Sequence, residues 1–147
     1  TRLVIAILIV VAVAIVAQVA RRRREPDAPT QRRYTVPEQV DRVDFPRPEA
    51  SWLVAVFTSD VCDKCADVWS KAQILESDDV AVVEAEFVRH RAIHDKYRID
   101  AVPTVIIADE AGVTQHSFLG PMTATDLWAA MAEVREPGST PDGCADH

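Results

Sequence analysis

Long apolar runs separated by polar breaks order this chain, and the spacing within each run predicts its element. The longest is Leu3 to Ala20, eighteen positions with no charge and only Gln18 polar. As a helix it would rise ~27 Å, close to the thickness of a bilayer core, and no polar stripe recurs at helical spacing to mark a buried core helix. Residues 1–20 are therefore expected to form a transmembrane anchor. A cleavable signal peptide fits less well, because a cut near Ala17 or Ala20 would fall against Arg21-Arg22-Arg23-Arg24. From 21 to 50 the pattern is lost. A basic stretch gives way to a segment punctuated by Pro26, Pro29, Pro37, Pro46 and Pro48, which predicts a linker. Within it, Tyr34-Thr35-Val36 suits a short edge strand and Val40 to Phe45 one helical turn.

Residues 51–135 carry the regular pattern of a folded domain. Trp52 to Phe57 is a continuous apolar run of the length of a strand buried on both faces. From Val61 the apolar positions Val61, Cys65, Val68, Trp69, Ala72 and Leu75 recur every three or four residues, predicting a helix that Ser59 or Asp60 would cap. Val80 to Val83 reads as a second strand, and Arg89 to Tyr97 as a short polar helix with Ile93 and Tyr97 on one face. Val102 to Ala108 and Val113 to Leu119, joined through the turn Asp109-Glu110-Ala111-Gly112, read as a hairpin. Thr123-Ala124-Thr125-Asp126 has the Thr-x-x-acid form of a helix start, and Leu127, Ala130, Met131 and Val134 follow at helical spacing. Strand and helix alternate and then end in a hairpin, which implies an α/β fold: a mixed sheet with helices on both faces. Residues 136–147 are polar with Pro and Gly and are expected to be disordered.

Charge sharpens this division. The net charge of −7 hides about +5 on residues 1–33 and about −12 on the remainder. An acidic domain is a poor match for nucleic acid, whose phosphates need a basic surface. Arg21 to Arg24, with Arg32 and Arg33, outweigh Arg2 on the other side of the apolar run, and the positive-inside rule then favours the cytoplasmic side for the domain of a single-pass cell-membrane protein. The same arginines suit anionic lipid head groups in that leaflet.

The chemistry lies in Cys62-Asp63-Lys64-Cys65, placed where a buried strand gives way to a helix. Two cysteines three apart can close a small disulfide, and a helix N-terminus favours a thiolate. That arrangement suits thiol exchange, with Cys62 attacking and Cys65 releasing the substrate. By itself the spacing also suits half a zinc site or a structural pair. Lys64 would favour the thiolate while Asp60 and Asp63 oppose it, so these residues modulate the couple without giving its direction.

Phe57 to Cys65, then Tyr97 to Thr104 with its Val102-Pro103-Thr104, then Phe118-Leu119-Gly120-Pro121 resemble in order and spacing the landmarks of the thioredoxin family. The resemblance spans about residues 51–135. It implies an exposed Cys62, a buried resolving Cys65, a cis proline at Pro103 beside the sulfurs, and substrates paired to the backbone of Val102. The chain also departs from the family. Val61 precedes the first cysteine where tryptophan is usual, Asp63-Lys64 replaces Gly-Pro, and Val56 occupies the position of the family's buried acid. Many membrane-anchored relatives work outside the cytoplasmic membrane, so the resemblance and the charge rule point to opposite sides.

Other candidates weigh less. Cys144 and His147, with Cys62 and Cys65, would complete a Cys3His zinc set, but such sites rarely draw ligands from a chain end, and no metal or other cofactor is expected. His90 and His94 are one helical turn apart, with no third ligand evident, and read as a solvated face. His116 reads as a surface or packing residue, and Trp69 and Trp128 as core. The expected function is thus a membrane-anchored thiol-disulfide oxidoreductase acting on protein thiols or disulfides through Cys62 and Cys65, with its electron donor unnamed by the sequence. The alternative is a thioredoxin-like binding module with a structural, zinc-bound or vestigial pair.

Overall fold

A computed structural model describes residues 34–139. The expected anchor at 1–20, the arginine run and the pair Cys144 and His147 lie outside the described residues. Among the described residues no helix is long and apolar enough to cross a membrane.

The elements follow as β1 (Trp52–Thr58), α1 (Cys65–Gln73), β2 (Val80–Glu86), α2 (Arg91–Tyr97), β3 (Thr104–Ala108), β4 (Thr114–Leu119) and α3 (Ala124–Arg135). The strands form one mixed sheet in the order β2-β1-β3-β4. β1 is parallel to β2 and antiparallel to β3, and β3 and β4 make the expected antiparallel hairpin. β1 lies inside the sheet, which is why its run is apolar throughout. Leu53, Ala55 and Phe57 point to one face, and Val54 and Val56 to the other. Burying each large aliphatic side chain contributes roughly 1.5–3 kcal/mol.

Each face has its own cover. Val68 and Ala72 of α1 join Leu127, Ala130 and Met131 of α3 over Val54, Val56, Val105 and Ile107. On the opposite face Leu53, Ala55, Phe57 and Ile106 pack with Ile99 and with Val40, Phe45 and Ala50, while Ile93 and Tyr97 of α2 close the rim. The prolines between 34 and 50 therefore do not hold this stretch out of the fold. Val40 N–H donates to Gly112 O at 2.8 Å and Thr114 N–H to Glu38 O at 2.9 Å, so residues 38–40 line up against the start of β4. The edge strand expected at Tyr34-Thr35-Val36 is displaced to this point because pairing begins beyond Pro37, which has no N–H to give. The helical turn expected between Val40 and Phe45 is a 3-10 turn at Arg42–Asp44, capped by the Asp41 carboxylate accepting from Val43 N–H.

Three further differences have local causes. β2 runs on through Glu84 and Glu86, because Ala85 between them is buried and the ladder with β1 continues to Thr58. β3 starts at Thr104, since Pro103 brings no ladder donor. Trp128 is 43% exposed although read as core: Leu127, Ala130 and Met131 occupy the sheet-facing stripe of α3, and Trp128 stands one step round from it.

Candidate functional site

β1 ends at Thr58, and the chain then makes two consecutive turns before α1. Cys62 N–H donates to Ser59 O at 3.1 Å and Cys65 N–H to Cys62 O at 3.2 Å. These turns bring the two Cα atoms to 5.5 Å, and Cys62 and Cys65 are joined by a disulfide. The helix begins at Cys65, so neither Ser59 nor Asp60 caps it. Lys64 holds the cap position without a side-chain bond, and Val61, expected as the first apolar helix position, is 86% exposed. Cys62 thereby sits in the turn ahead of the helix terminus, half-buried, while Cys65 lies at 3% exposure beneath it. Asp63 and Lys64 between them are both exposed.

The Val102–Pro103 peptide is cis, as the resemblance implies. Pro103 is buried and leads into β3, and its carbonyl accepts from Gly120 N–H at 2.8 Å, which fixes the β4 end of the hairpin beside it. Thr104 Oγ1 donates to Ala101 O at 2.8 Å and pins the preceding loop. Val102 lies outside β3, half-buried, and its backbone has no hydrogen-bond partner among the described residues.

Val56 is fully buried among Val54, Val68 and Ala72, so its position holds no ionisable group. A carboxylate stands one strand away. Glu84 is the parallel partner of Val56 and, two residues beyond Val82, faces the same side of the sheet as α1. Its Oε1 accepts from the hydroxyl of buried Thr58 at 2.9 Å, and its Oε2 lies 3.3 Å from Arg89 Nη2. Glu86 accepts from Val88 N–H and Arg89 N–H, and these two backbone bonds hold its carboxyl below the usual carboxylate range. Sequence reasoning missed this group, because two glutamates at the end of a strand pattern look like the start of a polar loop.

His94 corrects a further expectation. It is 1% exposed rather than solvated, its Nε2 is 2.8 Å from Ala85 O, and its ring meets Phe57 and Phe87 edge-on at 5.3 and 5.2 Å. His116 rests against the Phe118 ring at 4.7 Å, and partial desolvation there lowers its pKa. Among the described residues no group of three or more His, Cys, Asp or Glu side chains is arranged to hold a metal ion.

Comparison with known proteins agrees with this architecture. No family model and no curated protein matches the chain. Solved structures do. A mutant form of a thioredoxin from Halobacterium salinarum NRC-1 superposes with a TM-score of 0.52 at 19% identity, over 58% of this chain and 76% of that one. Thioredoxin O2 from Arabidopsis thaliana in its oxidised state gives 0.51 at 21% identity, over 60% and 78%. A thioredoxin-fold protein from Helicobacter pylori gives 0.52 at 13% identity, over 59% and 70%. The described residues therefore form a thioredoxin fold carrying a disulfide-bonded Cys-x-x-Cys pair.

Proposed function

We propose that this chain is a membrane-anchored thiol-disulfide oxidoreductase that exchanges disulfides with protein substrates. The observation that carries the reading is the asymmetry of the pair: a half-exposed Cys62, reachable by a substrate, is bonded to a buried Cys65 at the first residue of α1. From the reduced pair, the Cys62 thiolate attacks a substrate disulfide. One substrate sulfur leaves as a thiolate and takes up a proton, and a mixed disulfide forms at Cys62. Cys65, after giving up its proton, attacks Cys62 Sγ, restoring the Cys62–Cys65 bond and releasing the second substrate thiolate. Two electrons pass from the protein to the substrate. The same steps in reverse oxidise a substrate dithiol.

The terminus of α1 favours the Cys62 thiolate, and the unpaired backbone of Val102 beside Pro103 offers the substrate an edge to pair with. Asp63 and Lys64, exposed beside the sulfurs, set the local field. Leu3 to Ala20 supplies the membrane tether, and Arg21 to Arg24 favour the cytoplasmic side for the domain. The test is equilibration of the full chain in glutathione or dithiothreitol buffers of stepped potential, with free thiols counted by alkylation and mass. A single two-electron transition assigned to Cys62 and Cys65 is expected. A pair that stays oxidised under every reducing buffer while its exposed sulfur remains unreactive would replace this reading with that of a binding module.

A further inference from the structure

Before Cys65 attacks Cys62 Sγ it must lose a proton, and a thiol at 3% exposure passes that proton to bulk water with difficulty. The fold sets a carboxylate on the matching side of the sheet. Cys65, Val68 and Ala72 form the buried stripe of α1. Val68 and Ala72 pack with Val54 and Val56, and the helix lies against both β1 and β2. Only residues 59–64 join Thr58 to Cys65, so α1 runs back along β1 and the first position of its stripe, Cys65, stands at the Thr58 end. Thr58 is buried and, two residues beyond Val56, faces this same side. Its hydroxyl donates to Glu84 Oε1 at 2.9 Å. Glu84 itself is half-buried, so the bond runs from the interior to a group that solvent reaches.

The other charged groups nearby are engaged or exposed. Glu86 accepts from Val88 N–H with one oxygen and from Arg89 N–H with the other. Asp67 of α1 pairs with Lys71 at 2.6 Å, and Asp60, Asp63 and Lys64 are exposed on the turn. Arg89 Nη2 lies 3.3 Å from Glu84 Oε2, which leaves Oε1 to Thr58. We propose that Glu84 takes the proton of Cys65 through the Thr58 hydroxyl. The Cys65 S–H bond breaks as its hydrogen passes to Thr58 Oγ1, and the hydrogen already on Oγ1 moves to Glu84 Oε1. The Cys65 thiolate then attacks Cys62 Sγ, the substrate thiolate leaves, and Glu84 releases the proton to solvent. In the reverse direction Glu84 returns a proton to Cys65 by the same route. This inference rests on the oxidoreductase reading of the cysteine pair and supplies its resolving step with a proton acceptor.

The test uses the full chain carrying Cys144→Ser, so that Cys62 and Cys65 are its only thiols, reduced and mixed with dithiobis(nitrobenzoate) in stopped flow. Attack by Cys62 releases a first thionitrobenzoate, and resolution by Cys65 releases the second. Glu84→Gln keeps an acceptor for the Thr58 hydroxyl but holds no proton. At neutral pH it is expected to slow the second release about 100-fold, the lower range of general-base catalysis, and to leave the first unchanged. The loss should shrink as pH rises, because hydroxide then takes the proton instead. Thr58→Val keeps the shape and removes the hydroxyl; it should show the same pH-dependent loss, and it decides the matter if Glu84→Gln does not fold. An unchanged second release in either folded variant, or a loss of equal size at every pH, overturns the relay and leaves the reading of the cysteines standing. If the reduced chain with both residues intact releases no thionitrobenzoate, or only the first, the oxidoreductase reading falls and the relay falls with it.

Discussion

Arg42 donates from Nη2 to the carbonyl of Ala50 at 2.9 Å, closing residues 42–50 around a buried guanidinium. The same side chain donates to Asp109 O at 2.8 Å and to Arg47 O at 3.3 Å, so one residue ties the segment before β1 to the turn between β3 and β4. Burial lowers the guanidinium pKa, and the charges of Asp109 and Glu49 work against that shift, so Arg42 stays protonated. Arg42→Ala strands three carbonyls and is expected to cost ~2–4 kcal/mol in urea unfolding. Arg42→Lys should recover only part of this, because one ammonium cannot span the same three acceptors.

Gly112 secures the other side of that junction. It has φ +78°, and a Cβ built there would meet Val40 O at 1.9 Å, the carbonyl of the residue whose N–H bonds to Gly112 O. Neither backbone can retreat without breaking the bridge between Gln39 and Val113. Gly112→Ala is expected to destabilise by ~2–4 kcal/mol, from left-handed strain plus the clash. An unchanged thermal midpoint in this variant would show that residues 38–40 do not dock in solution.

Acid stability should depend on Asp44. It accepts from Lys96 Nζ at 2.5 Å and from the Tyr97 hydroxyl, and these bonds, the lysine's first, hold its carboxyl below the ordinary value of 3.8. A depressed carboxylate contributes stability that is complete above its ordinary pKa and is lost as pH falls through the folded value. Glu86 acts in the same direction. At the alkaline end, Asp44 raises the pKa of Lys96, and burial followed by the bond to Asp44 raises that of Tyr97, so their contributions are complete below 10.5 and 10.0 and fade as pH rises beyond. Asp44→Asn should remove ~0.5–1 kcal/mol at pH 7, since the pair is partly solvated, and flatten the acid limb of a stability–pH curve measured below pH 4.

The two cysteines should behave unequally. Cys65→Ser leaves Cys62 able to attack but without a resolving thiol, and is expected to accumulate mixed disulfides that non-reducing gels and mass spectrometry identify. With Cys144 also replaced by Ser in both variants, Cys62→Ser should form none, because the one cysteine sulfur left, that of Cys65, is buried. Equal trapping by both variants would contradict the assignment of roles.

Much of this was legible in sequence where a few neighbouring residues suffice. Thr123 caps α3 and exchanges bonds with Asp126 in a capping box, as the Thr-x-x-acid pattern predicts, because both partners lie within one turn. The hairpin of β3 and β4 and the Cys-x-x-Cys turn are local in the same sense. His94 was not legible. Its polar neighbours on α2 suggest a solvated face, whereas Ala85 O, Phe57 and Phe87 that enclose it arrive from β1, β2 and the loop after β2.

The sequence alone determined the element order, the mixed sheet and the disulfide spacing, since these follow from periodicity and from chemistry within short windows. Tertiary structure decided the rest. It drew residues 38–50 into the core, set Glu84 opposite Val56, exposed Trp128 and buried a helical histidine. Each of these depends on which distant backbone or ring occupies the adjoining space, and no local pattern encodes that.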